Sequence, residues 1–141
     1  PWPWADTWPV ARLSAPQLGI SRIVLAGASG SSLAFGPGHL FGSAAPGSIG
    51  NVIISGHRDT HFSFLEKLKK EDVLIIESSD TTSMYKVTDL KIVDTEKVKH
   101  IPTDSSNRLL LLTCYPFNAI QAGGPLRYVV IAKPYFPNTM S

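Results

Sequence analysis

The sequence predicts an all-β fold, an eight-stranded barrel carrying one or two short helices. Short segments rich in branched and aromatic residues recur between glycine and proline breaks, and one segment alone shows helical spacing. No apolar run approaches the roughly 18 residues a membrane-crossing helix requires. About eight short strands with little helix favour a sheet closed on itself, because closure leaves no unpaired edge.

The elements follow in chain order. Residues 1–9, "PWPWADTWP", hold three tryptophans and three prolines. Proline excludes helix interior and central strand, so an extended, rigid lead-in is expected. Its indoles are expected to dock on the domain; the alternative is a membrane surface, where indole is also at home. Residues 10–141 are read as a single domain. "VARLSAP" and "ISRIVLAG" read as strands, and the glycine-rich "GASGSSLAFGPGHLFGSAAPGSIG" as a long loop with one short turn of helix. "NVIISG" reads as a buried strand. "FSFLEKLKK" carries apolar residues at 62, 64, 65 and 68 and suits a short helix. "DVLIIES" and "SMYKVTDLKIVD" follow as strands. "TEKVKHIPTDSSN" is a connecting loop with at most a turn of helix, and "RLLLLTC" and "PLRYVVIAK" are the last two strands.

Composition narrows the function. Of 141 residues 43% are hydrophobic and 17% charged, which suits a packed globular chain and argues against disorder. The net charge of +2 comes from scattered bases without a basic stripe, which argues against nucleic acid as a partner. A single cysteine excludes an internal disulfide and a four-cysteine zinc site, while leaving the compartment open. The chain begins at Pro1 without an initiator methionine, as expected of a shortened or processed polypeptide from which an N-terminal membrane anchor has been removed.

That cysteine, Cys114, lies where "RLLLLTC" stops and Pro116 turns the chain away. A free cysteine is most often a small buried hydrophobe. A strand end on a barrel rim is different: it is rigid in backbone yet open to a ligand. A thiol near its reference pKa of about 8.5 is mostly protonated at neutral pH and needs a base or a positive partner to act as a nucleophile. Of four histidines, His57 is the candidate, because it also sits just past the end of a buried strand, after Gly56. Arg127 begins the strand joined to the cysteine strand by the loop "YPFNAIQAGG". Its charged, planar fork could stabilise an oxyanion or hold a substrate carbonyl; its blander role is a surface salt bridge.

The same residues admit a rival. "HRDTH" spaces His57 and His61 at i and i+4, and with Cys114 they could form a zinc site. The metalloprotease pattern requires glutamate after the first histidine, and here Arg58 stands in its place. His61 is therefore read as a loop or helix-start residue, and His39 and His100 as structural. Arg58 and Asp59 are expected to shape the His57 loop. No metal and no cofactor are expected.

Taken together and in order, "GNVIISGHRDTHF", "LLLLTCYPF" and "GGPLRYVV" resemble the sortases, cysteine transpeptidases of bacterial surfaces. The resemblance extends from about residue 10 to about residue 133. The forms "TCYPF" and "GGPLRY" are most like the sortases of marine Gram-negative bacteria. The family's usual Thr-Leu-x-Thr-Cys departs here at its first position, where this chain has leucine. The resemblance implies an eight-stranded barrel with Cys114 as nucleophile, His57 as general acid and base, and Arg127 as the cation facing substrate. It also implies a thiol-peptidase-like enzyme that cleaves a Leu-Pro-x-Thr-Gly-like C-terminal sorting signal between Thr and Gly. On this resemblance the acyl group is held as a thioester on Cys114 and is then passed to an amine, which frees the thiolate. The expected partners are a sorting-signal protein and an acceptor amine, and the expected state is a monomer. The catalytic domain would be anchored in the cytoplasmic membrane and face outward. The passages "GASGSSLAFGPGHL" and "TEKVKHIPTDSSN" are the expected groove walls.

Two alternatives stand beside this reading. Another cysteine acyl-transferase, such as an L,D-transpeptidase, would carry Ser-x-Gly-Cys-x-Arg, whereas Leu112-Thr113 precede the thiol here. A barrel that only binds peptide would hold Cys114 as an inert core residue.

Overall fold

The four-leucine run forms a strand that is apolar on both faces, and the rest of the sheet is arranged around it. The structure is a computed structural model that describes residues 8–27, 37–39, 43–46, 50–57, 61–97, 106–117 and 124–137. The strands are β1 (Pro9–Ala15), β2 (Ile20–Ala26), β3 (Gly38–His39), β4 (Asn51–Ser55), β5 (Val73–Glu77), β6 (Thr82–Asp94), β7 (Arg108–Cys114) and β8 (Leu126–Pro134). They close into a barrel in the order β1-β2-β3-β4-β7-β8-β6-β5, sealed where β5 pairs antiparallel with β1. This is the all-β barrel the sequence predicts.

One expectation needs correction, and one gains detail. The glycine-rich passage read as loop contributes β3, which runs parallel to β2 and antiparallel to β4. A two-residue strand carries no readable alternation, so local pattern could not reveal it. The helix expected in "FSFLEKLKK" is a 3-10 segment, Ser63–Lys67, and a second 3-10 turn, Pro16–Leu18, ends at Gly19 with φ +65°. That positive φ is the reason for glycine there. The turn of helix expected between residues 27 and 50, most of both groove-wall passages, and residues 1–7 of the lead-in fall outside the described residues.

Alternation explains the core. In β7, Leu109 and Leu111 point into the barrel, where they meet Leu13, Val24, Val52, Ile54, Leu74 and Val130. Phe62, Phe64, Leu65 and Leu68, in and beside the longer 3-10 segment, pack into the same cluster. Leu110 and Leu112 point the other way and form a second cluster with Ile53, Val129 and Ile131. Leu110 is fully buried there. Burying such a side chain completely stabilises the fold by roughly 1.5–3 kcal/mol. β4 and β7 are parallel, a pairing usually buried on both faces, which accounts for unbroken apolar runs in both strands.

Candidate active site

Strand direction determines which residues can meet. Because β4 and β7 run parallel, with Ser55 paired to Leu112, both strands finish at one rim. The Gly56 N–H continues that ladder by donating to the Leu112 carbonyl at 3.1 Å. β8 runs antiparallel to β7, so its beginning reaches the same rim, with Arg127 directly opposite Cys114. Residues two apart on a strand share a face. Ile53 and Ser55 on β4, Leu110, Leu112 and Cys114 on β7, and Ile131, Val129 and Arg127 on β8 therefore form three rows on the barrel's outer face. His57, two residues past Ser55, extends the first row. Neighbouring strands lie about 4.8 Å apart.

A cavity of about 230 Å³ opens at this rim. It brings together His57, Cys114 and Arg127, with Ser55, Gly56, Leu112, Thr113 and Thr95 completing its lining. The described lining contains no acidic residue. A thiol, an imidazole and a guanidinium on one cavity can supply a nucleophile, a proton carrier and a fixed positive charge.

Each of the three is held from behind. Cys114 is a half-buried free thiol, and the Tyr115 N–H after it donates to the Leu126 carbonyl at 3.1 Å. Tyr115 stacks on Tyr128 with centroids 5.9 Å apart, and Phe117 meets Tyr128 edge-on at 5.1 Å, so an aromatic trio backs the turn. Burial pushes the Tyr128 hydroxyl above its usual pKa, and Tyr115 and Glu66 push it further. Tyr128 is therefore neutral at physiological pH and adds no charge to the site. His57 is exposed, and its carbonyl accepts the Phe62 N–H at 2.8 Å. Gly56 has a role other than backbone freedom: a Cβ there would lie 2.7 Å from Cγ of the fully buried Phe62. The Arg22 Nε–H donates to the His61 carbonyl at 3.3 Å and ties β2 to the same turn.

Among the described residues Arg127 makes no ion pair, and one end of its fork is held by backbone carbonyls. Its Nη1 donates to the Gly124 carbonyl at 2.7 Å and to the Leu126 carbonyl at 2.9 Å.

Other candidates resolve differently. The 3-10 segment begins only at Ser63, so His57 and His61 do not share a helix face. No group of three or more potential metal ligands exists among the described residues. The Nε2–H of His39 donates to the Ala44 carbonyl at 2.7 Å and lies 2.9 Å from Ser43 Oγ, a structural clasp. His100, Arg58 and Asp59 lie outside the described residues. Sequence reasoning missed Ser55, Thr95 and Thr113 as cavity residues. Ser55 and Thr113 each adjoin a residue already singled out, and adjacency to a strand end was the available signal. Thr113 is 2% exposed, and its hydroxyl finds no partner among the described residues.

The comparisons with known proteins agree with this architecture. A profile of the sortase domain matches residues 13–135. The chain is 32% identical over 122 residues to Sortase D of Bacillus subtilis (strain 168), covering 86% of this chain and 61% of that protein. It is similar to the structure of Sortase A from Corynebacterium diphtheriae, with a TM-score of 0.82, 28% identity, and coverage of 97% of this chain and 65% of that one. Sortase C-1 from Actinomyces oris matches with a TM-score of 0.79 and 28% identity, over 94% of this chain and 77% of that one. The chain thus spans a little under two thirds of the Bacillus and Corynebacterium sortases. With a family match over most of its length and the same eight-stranded barrel, the chain belongs to the sortase family.

Proposed function

We propose that this protein is a cysteine transpeptidase that cleaves a Leu-Pro-x-Thr-Gly-like sorting signal between Thr and Gly and transfers the acyl part to an amine. The observation that carries this reading is that Cys114, His57 and Arg127 line one cavity at one barrel rim. In the first half-reaction the Cys114 thiolate attacks the threonine carbonyl carbon, giving a tetrahedral oxyanion that faces the Arg127 guanidinium. The His57 imidazolium gives its proton to the glycine nitrogen, the C–N bond breaks, and a thioester remains on Cys114. In the second half-reaction an incoming amine attacks the thioester carbonyl, His57 accepts the amine's proton, and the thiolate departs. Removing charge stabilisation of the Arg127 kind typically costs about 10²–10³ in turnover.

The partners in this proposal are a protein bearing the sorting signal and an amine acceptor, and the domain works as a monomer. It acts at the outer side of the cytoplasmic membrane under an N-terminal anchor, by analogy with the family. No helix among the described residues is long and apolar enough to cross a membrane. The marine Gram-negative affiliation rests on the forms "TCYPF" and "GGPLRY" alone. The test is incubation with a panel of Leu-Pro-x-Thr-Gly-like peptides followed by mass spectrometry. A thioester on Cys114, absent in Cys114→Ala, is the expected result. Turnover without any Cys114 adduct would remove the proposal.

A further inference from the structure

We infer that Thr95, in the turn after β6, is a positioning residue for the Arg127 guanidinium; its bearing on turnover rests on the function proposed above. The argument starts from the carbonyls that hold Arg127. Both hydrogens of Nη1 are engaged, one on Gly124 and one on Leu126. The opposite edge of the guanidinium, Nε and Nη2, has no partner among the described residues and is the edge left for a ligand. Two donors side by side on a planar group suit a carbonyl or an oxyanion. The orientation of that edge therefore depends on where the 124–126 backbone sits.

Thr95 fixes that backbone from the other side. Its N–H donates to the Pro125 carbonyl at 2.9 Å and its hydroxyl donates to the same oxygen at 2.8 Å. The turn that presents Thr95 is itself closed. Asp94 Oδ1 accepts the Glu96 N–H at 2.9 Å, and the Asp94 carbonyl accepts the Lys97 N–H at 3.0 Å. Pro125 lies between the two residues whose carbonyls hold Arg127, so a shift of its peptide moves both acceptors. Thr95 also lines the cavity, which places the bracket beside the chemistry. Displacements of an ångström at such a site can lower rates up to about 100-fold.

The test compares Thr95→Val, which keeps shape and the N–H bond but loses the hydroxyl, with Thr95→Ser, which keeps the hydroxyl. Two readouts are taken on the intact chain. The first is the ¹⁵N spectrum of the Arg127 guanidinium, assigned with Arg127→Lys, which needs no substrate. The second is steady-state transfer on a Leu-Pro-x-Thr-Gly-like peptide. The expected result is slow Nη1 rotation in the wild type and in Thr95→Ser, lost in Thr95→Val. Turnover in Thr95→Val is expected to fall about tenfold with KM within about twofold, and Thr95→Ser to recover it. An unchanged guanidinium spectrum in Thr95→Val, or equal impairment in both variants, overturns the inference. A wild type that forms no thioester while the spectrum still responds to Thr95→Val removes the proposed function and leaves the positioning role supported.

Discussion

Cys114 and Arg127 stand directly opposite each other across the β7–β8 ladder, and the next pair outward from Thr113 and Tyr128 is theirs. Directly paired residues of antiparallel strands hold their Cβ atoms about 4.5–5.5 Å apart. The sheet therefore sets the two Cβ atoms side by side, and the carbonyls of Gly124 and Leu126 then orient the guanidinium. Replacing Cys114 with alanine is expected to abolish thioester formation while thermal unfolding stays within about 2 °C, because the side chain is only half buried at a rim. Arg127→Ala is expected to lower kcat by about 10²–10³ with a smaller change in KM. Arg127→Lys keeps the charge but loses the planar fork and should recover little of that loss. Steady-state kinetics of the two arginine variants check the ordering, and full activity in Arg127→Ala would count against an oxyanion role.

Thr113 faces the opposite way from Cys114, and its hydroxyl is buried without a partner among the described residues. A buried unsatisfied hydroxyl typically costs about 1–3 kcal/mol. Thr113→Val keeps the branched shape and removes the orphan oxygen, so it is expected to leave stability unchanged or raise it by up to about 1 kcal/mol. Urea unfolding measures this directly. A clear loss of stability would mean that the hydroxyl has an acceptor or a bound water in solution.

The tyrosines give the fold an alkaline limit. Burial raises the pKa of Tyr85, and burial followed by Tyr115 and Glu66 raises that of Tyr128, both above the usual value near 10. For groups raised in the folded state, the stability contribution is fully present below the unfolded value and disappears as pH climbs through the folded one. Melting temperature is thus expected to hold up to about pH 9 and to fall above about pH 10. Tyr85→Phe, which removes the ionisation of the more deeply buried ring, should flatten that fall. A series of melts between pH 8 and 11 on both proteins tests it.

Much of this site was legible in the sequence, for reasons that particular residues make clear. Cys114 and His57 stood out because each follows an unbroken apolar strand, and strand ends are where a barrel can expose chemistry. The parallel pairing of β4 with β7, which makes those two ends coincide, is a long-range fact that no local pattern encodes. The same holds for β3, whose two residues are a strand only because β2 and β4 flank them. Arg127 was legible as a charge on a strand next to the cysteine, but its hold on Gly124 and Leu126 depends on the backbone path. Thr95 was invisible, since its role arises from contact with a residue thirty positions away.

Gly56 and Phe62 offer the sharpest test of how the fold places His57. A Cβ at residue 56 would come within 2.7 Å of Phe62 Cγ, 2.9 Å of Cδ2 and 3.1 Å of Cδ1. The ring cannot easily retreat, because Phe62 is fully buried among core residues and meets Phe64 edge-on at 5.7 Å. Gly56→Ala is therefore expected to destabilise the protein by about 1–3 kcal/mol, as overpacking does. It should also lower turnover, since the Phe62 N–H is bonded to the His57 carbonyl and a displaced Phe62 drags that carbonyl with it. Phe62→Leu alone leaves a partly empty site and costs about 1–2 kcal/mol. Combined with Gly56→Ala it vacates the space the new methyl needs. The double variant should then be more stable than the sum of the two losses predicts, by about 1 kcal/mol, and should regain part of the turnover lost in Gly56→Ala. Strict additivity in urea unfolding would show that the methyl is accommodated by backbone movement elsewhere, and that Gly56 does not fix the imidazole through this contact.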